Sequence, residues 1–218
     1  MEAMRTWTSI PMRPVLTPAL GALVLSACTG VIGSGQAAQE SRTVAAFTRV
    51  STSDGIGVEV KAGEASAVLV EGDLNILPYI KTEVVGDELT IGTTEGNLPL
   101  LPQRKLMVTV SLPSLAGLSA SGGARAQATG VDSPELAVAA SGGSEVTIAG
   151  QAPSVVASAV DGARLFLKDL TSESAQLVAR SRSAVLATVT GHAQVDASGG
   201  SSVQVEGGAV VSGSAGAN

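Results

Sequence analysis

The chain has 218 residues, a formal net charge of −6, 26 glycines and only 2% aromatic residues. One cysteine and one histidine exclude an intramolecular disulfide and a multi-histidine metal site. The acidic balance, with no basic stripe, argues against nucleic acid as a partner, and so few rings cannot fill a core of ordinary thickness.

The N-terminus carries Arg5 and Arg13, then an apolar run from Val15 to Ala27, then Cys28. The run is too short to span a bilayer and reads as a secretory signal over residues 1–27. Leu25-Ser26-Ala27-Cys28 resembles the bacterial lipobox. That signal needs small residues before the cut and a thiolate that receives a diacylglyceryl group. The resemblance implies lipid attachment at Cys28 and a membrane as partner through acyl chains. Thr29, in place of Asp, implies the outer membrane by similarity to proteobacterial sorting. An ordinary cysteine behind a conventional cleavage site is the alternative. Met12 opens a complete signal by itself, so the start stays open among Met1, Met4 and Met12. Residues 28–40 are small and polar and are expected to form a flexible tether. The head domain is expected over 41–213.

From Ser41 to Pro113 the segments VAAFTRVST, GIGVEVKA, AVLVEGD, KTEVVGDELTIGT and KLMVTVSLP are candidate strands. Gly86-Asp87 marks a hairpin turn. LNILPYI (74–80) is a connection or one helical turn, and NLPLLPQ (97–103) a proline-punctuated loop. No substantial helix is expected after the signal.

From Leu115 to Gly207 the chain repeats itself: LSASGGARAQATG, VAASGGSEVTIAG, ASAVDGARLFLKD, LVARSRSAVLATV and VDASGGSSVQVEG. One column of the alignment is Ala120, Ala140, Ala159, Ala179, Ala197; another is Ala126, Val146, Leu165, Val185, Val203. A fixed period with two-residue alternation inside it predicts an all-β fold. Its form is a parallel β-helix, a single-stranded solenoid of about 20 residues per coil. Each coil is expected to hold three short strands, with regular coils over 115–207 and less regular ones before them. Small residues then fill a narrow interior.

The order GSG (33–35), ESRTVAAFTRVSTSDGIGVEV (40–60), GDLNILPYIKTEVVGDELTIG (72–92) and the SGG repeats resembles the bacterial head-GIN-domain family of auto-transporter adhesins. The resemblance covers nearly all of residues 33–213 and implies a β-helix related in shape to pectin lyases, with an adhesive role. It brings no catalytic residues. At the position suggested by the family's name this chain has Gly55-Ile56-Gly57, without Asn.

Outward columns supply the candidate site residues. Arg125, Glu145 and Arg164 are expected to stack as opposite charges on one wall. Phe166 and Leu186 are expected to touch on the surface beside Arg164 and Lys168. These four form the candidate binding surface. The turn column Gly122, Gly142, Asp161, Ser181, Gly199 loses its glycines in the third and fourth coils. There Asp161, Arg180 and Arg182 are expected to meet in a charged turn, either a salt-bridged corner or a weak likeness to a lyase site. His192 reads as an exposed, ordinary histidine, and SGG lacks phosphate-loop spacing. With no metal site, cofactor or catalytic set indicated, the sequence reads as a non-enzymatic envelope module that binds a glycan or surface protein. A polysaccharide-acting enzyme and an envelope-stress accessory protein are the alternatives.

Overall fold

The computed structural model describes residues 30–95 and 99–215. The signal, Cys28 and its lipid attachment lie outside the described residues. Among those described, the only helical element is a 3-10 turn at Leu77–Tyr79, within the LNILPYI segment. No helix there is long and apolar enough to cross a membrane.

The strands in chain order are β1 (Val31–Ile32), β2 (Ala37–Arg42), β3 (Arg49–Thr52), β4 (Gly57–Ala62), β5 (Ala67–Asp73), β6 (Ile80–Val85), β7 (Glu88–Thr93), β8 (Leu100–Leu101) and β9 (Met107–Leu112). They continue as β10 (Gly117–Ala120), β11 (Arg125–Asp132), β12 (Glu135–Ala140), β13 (Glu145–Gln151), β14 (Ser154–Ala159), β15 (Arg164–Ala179), β16 (Ala184–Ala197), β17 (Ser202–Glu206) and β18 (Val210–Ala215). They coil into a parallel β-solenoid of about 5 turns with roughly 20-residue spacing.

Wall A stacks β9, β4, β11, β13, the first part of β15, the first part of β16, and β17. Wall B stacks β7, β3, β10, β12, β14, the ends of β15 and β16, and β18. The third wall is short, running through Asp132, Gln151 and Thr171. It merges with its neighbours, because β15 and β16 turn their corners without losing extended backbone.

The expected columns are real. Ala120, Ala140, Ala159, Ala179 and Ala197 pair in series, as do Ala126, Val146, Leu165, Val185 and Val203. The Ala column is buried throughout, in one core cluster that also takes in Val58, Val60, Val108 and Val110 of the N-terminal half. Parallel stacking in register gives the same inward position to each coil, and the Ala column stays small along its whole length.

The N-terminal half belongs to the same stack in a different order. The β3–β4 coil lies between β7–β9 and β10–β11. The turns explain the fit. Asp54-Gly55, Gly122-Gly123, Gly142-Gly143, Asp161-Gly162, Ser181-Arg182 and Gly199-Gly200 all have two consecutive positive φ angles. Glycine adopts these without a Cβ penalty. Asp54, Asp161, Ser181 and Arg182 do so as L-residues, at φ 59, 55, 56 and 62.

Two antiparallel additions close the N-terminal end. β6 and β7 form the hairpin expected at Gly86-Asp87, and β5 lies antiparallel to β9 with β2 beyond it. The expected tether over 28–40 is therefore corrected within the described residues. β1 pairs with β8, and β2 pairs with β5 from Ala37↔Asp73 to Arg42↔Val68. β2 shows no apolar alternation because it is held by backbone hydrogen bonds, with most side chains in solvent.

Asp73 clasps this segment. Its carboxylate, 0% exposed, accepts the N–H groups of Gly35 at 2.6 Å, Gln103 at 2.8 Å and Arg104 at 3.0 Å. Burial alone raises its pKa. The three N–H donors and the Arg104 charge outweigh that and hold it below the ordinary value. At the opposite end β17 and β18 are edges, with Val210 67% and Val211 55% exposed.

Candidate binding surface

Wall A carries the outward side chains singled out in the sequence. Its first outward column is Met107, Gly57, Arg125, Glu145, Arg164, Ala184. Its second is Thr109, Glu59, Gln127, Thr147, Phe166, Leu186, Gln204. Arg125, Glu145 and Arg164 stand in the expected register, yet among the described residues none of them closes an ion pair. Exposed pairs gain about 0–1 kcal/mol and lose side-chain entropy, so register alone does not join them.

Phe166 and Leu186 are neighbours in register, and both are half-buried rather than protruding. Thr147 on one side and Gln204 on the other complete the row and cover their flanks. Arg164 and Lys168 are exposed beside them. Lys168 reaches Asp169 at 3.9 Å, with both side chains more than half exposed, 57% and 58%. The four residues thus share one face, as a shallow apolar ledge flanked by cations.

Below the ledge, wall A is hollowed. A groove of about 420 Å³ is lined by Gly57, Glu59, Lys105, Arg125, Gln127 and Glu145, together with Leu106 and Met107. Where the family name suggests Asn, Gly57 contributes no side chain to the groove. Its backbone is extended, and an added Cβ would meet Met107 and Leu106 at 3.4–3.5 Å, ordinary contact. The sequence reading missed Gly57, Glu59 and Lys105 as site residues. The repeated turn was the available signal: Ser53-Asp54-Gly55-Ile56 matches Ser121-Gly122-Gly123-Ala124 and sets β4 beside β11.

The charged turn does not assemble as expected. Arg180 ion-pairs with Asp196 on the adjoining coil at 2.9 Å. Asp161 and Arg182 take part in the turn ladder through backbone. The Asp161 carbonyl accepts Gly143 N–H at 3.0 Å, and Arg182 N–H donates to the Gly199 carbonyl at 2.9 Å. Among the described residues Asp161 forms no ion pair with either arginine. Asp196 sits opposite Val178, two residues before Arg180, within reach of its guanidinium. No group of three or more His, Cys, Asp or Glu side chains among the described residues is placed to hold a metal. His192 is exposed, with Nε2 3.4 Å from Ser212 Oγ.

Solved structures share this fold. A "putative adhesin" from Bacteroides fragilis NCTC 9343 is 15% identical, with a TM-score of 0.59. Its alignment covers 84% of this chain and all of that one. A "putative adhesin" from Parabacteroides merdae ATCC 43184 is 14% identical, with a TM-score of 0.51, over 85% of this chain and 99% of that one. No curated protein matches the sequence. The family model described as "Putative auto-transporter adhesin, head GIN domain" matches residues 46–209, which include the repeated turns and the groove, and the chain belongs to that family.

Proposed function

We propose that this protein is a lipid-anchored, non-catalytic adhesive module of the cell envelope. It is held at the outer membrane through Cys28 and binds a glycan or surface protein through wall A. The observation that carries this reading is the composition of that wall. Arg125, Glu145 and Arg164, uncommitted to one another, stand in line with the Phe166–Leu186 ledge on a rigid stack. A rigid scaffold fixes such groups in place before binding, so little ordering entropy is lost when a partner docks. The commitment of Arg180 to Asp196 supports a structural rather than catalytic role for the charged turn.

The test replaces Phe166 and Lys168 together with Ser and reads adhesion on a glycan and cell-surface array. Phe166 supplies the apolar contact area and Lys168 a cation, so the double variant is expected to lose about tenfold in affinity, roughly 1.4 kcal/mol. Its β-rich circular dichroism should be retained. Asp161→Asn is expected to bind as wild type. Normal adhesion by the double variant overturns the ledge as binding surface. Loss of polysaccharide turnover in Asp161→Asn establishes an enzyme instead.

A further inference from the structure

The groove beside Gly57 has a chemistry of its own. Six cations among the described residues are paired with carboxylates: Arg42, Arg49, Lys61, Lys81, Lys168 and Arg180. Arg104 is engaged by the Gly35 carbonyl. Lys105, Arg125, Arg164 and Arg182 have no acid partner among the described residues. In a chain of net charge −6, two of those four line one groove and a third stands on the same wall. Lys105 and Arg125 line the groove, and Arg164 follows Glu145 in the same column.

We infer that this groove binds an acidic polysaccharide, with a sugar carboxylate held by Lys105 and Arg125; the inference rests on wall A being the binding face. Charge-assisted hydrogen bonds from arginine and lysine are the natural partners of a carboxylate. The other lining groups select the polymer. Glu59 and Glu145 accept hydrogen bonds, and Gln127 and Thr147 both donate and accept, a set that suits sugar hydroxyls. A polyphosphate or polyglutamate lacks the ring hydroxyls that would donate to those two glutamates and meets them only as like charges. A peptide docking by strand addition needs a free backbone edge, whereas β4 is paired on both sides, by β9 and β11. Leu106 and Met107 in the lining offer an apolar rest for the C–H face of a ring. Coils advance about 4.8 Å, close to the length of one pyranose unit. A chain lying along the stack therefore places one ring per coil, from the groove toward Arg164 and Phe166.

The experiment titrates an oligomannuronate, a neutral β-1,4-mannan oligomer of the same length, and an oligoglutamate into the full chain in detergent. Lys105→Gln with Arg125→Gln removes the two cations. Gly57→Gln fills the groove without a charge change, at a position whose backbone and surroundings accept a Cβ. Arg182→Gln removes an uncommitted cation elsewhere. Oligomannuronate should bind wild type and Arg182→Gln alike, and bind both groove variants at least about tenfold more weakly. The neutral oligomer and oligoglutamate should bind wild type far less. Equal affinity of wild type and both groove variants overturns the proposal. So does binding of the neutral oligomer as tight as that of the acid, or tighter binding of oligoglutamate. If the Phe166→Ser, Lys168→Ser variant loses binding while the groove variants keep it, the groove assignment fails and the wall A reading stands. If neither set alters binding, both fail.

Discussion

Replacing Ala159 with Leu tests the narrow core directly. Ala159 is 0% exposed and lies in register between Ala140 on one coil and Ala179 on the next. Coils sit about 4.8 Å apart, so the added carbons cannot extend along the stack without prising its ladders open. Across the interior they enter a cluster already filled by Leu165, Leu167 and Leu170, each 1% exposed. Overpacking of this kind costs about 1–3 kcal/mol, which lowers the melting midpoint of a chain this size by about 2–12 °C. Gln176→Leu is the control, because Gln176 is exposed on the outward side of wall B, opposite Val156. Urea unfolding followed by far-ultraviolet circular dichroism, with the m-value compared across variants, measures the difference. An unchanged midpoint for Ala159→Leu, or a loss no larger than that of Gln176→Leu, refutes the inward column.

Cys28→Ser is expected to leave the protein unprocessed or release it from membranes, as membrane fractionation and a lipid-labelling assay would reveal; wild-type fractionation with normal processing removes the anchor. Asp73 gives a pH signature. Its carboxyl is held below the ordinary value in the folded state. Its stabilisation is therefore complete above the ordinary carboxylate range and is lost as pH falls through the folded-state value. Asp73→Asn should lower the urea midpoint at neutral pH and flatten the acid limb of the stability curve; parallel curves for the two proteins contradict the clasp. Ser181→Gly with Arg182→Gly should raise the unfolding free energy by about 1 kcal/mol, and the urea midpoint with it, since relief of two left-handed L-residues exceeds the added unfolded-state entropy. A lowered midpoint shows that the Arg182 side chain stabilises the turn.

The repeated half was legible because parallel stacking in register writes each inward position once per coil, as in the series from Ala120 to Ala197. The N-terminal half was harder to read. β4 must be set beside β11, yet β5 to β10 intervene in the chain, so no fixed period links Val58 to Ala126 although they pair. The candidate binding face was half-legible for the same reason. Arg164, Phe166 and Leu186 follow from the repeat, whereas Gly57 and Lys105 come from outside it. Side-chain reach was not legible at all. Register brought Arg125 and Glu145 together without joining them, and gave Arg180 to Asp196 rather than Asp161.

The displaced position of the β3–β4 coil has a consequence for how the molecule is made. These strands are synthesised early, but one neighbour of β4 arrives only with Met107 and the other only with Arg125. From β12 onward each new strand finds its partner about one coil back, at roughly 20-residue spacing. Assembly of the regular coils is thus a sequence of short, local closures, while β4 must wait for two long ones. Closure entropy grows only slowly with loop length, but non-local pairing delays the step at which it is repaid. The junction of β4 with β11 therefore acts as the nucleation step. Mutations there should slow refolding, and mutations in the last coils should mainly speed unfolding.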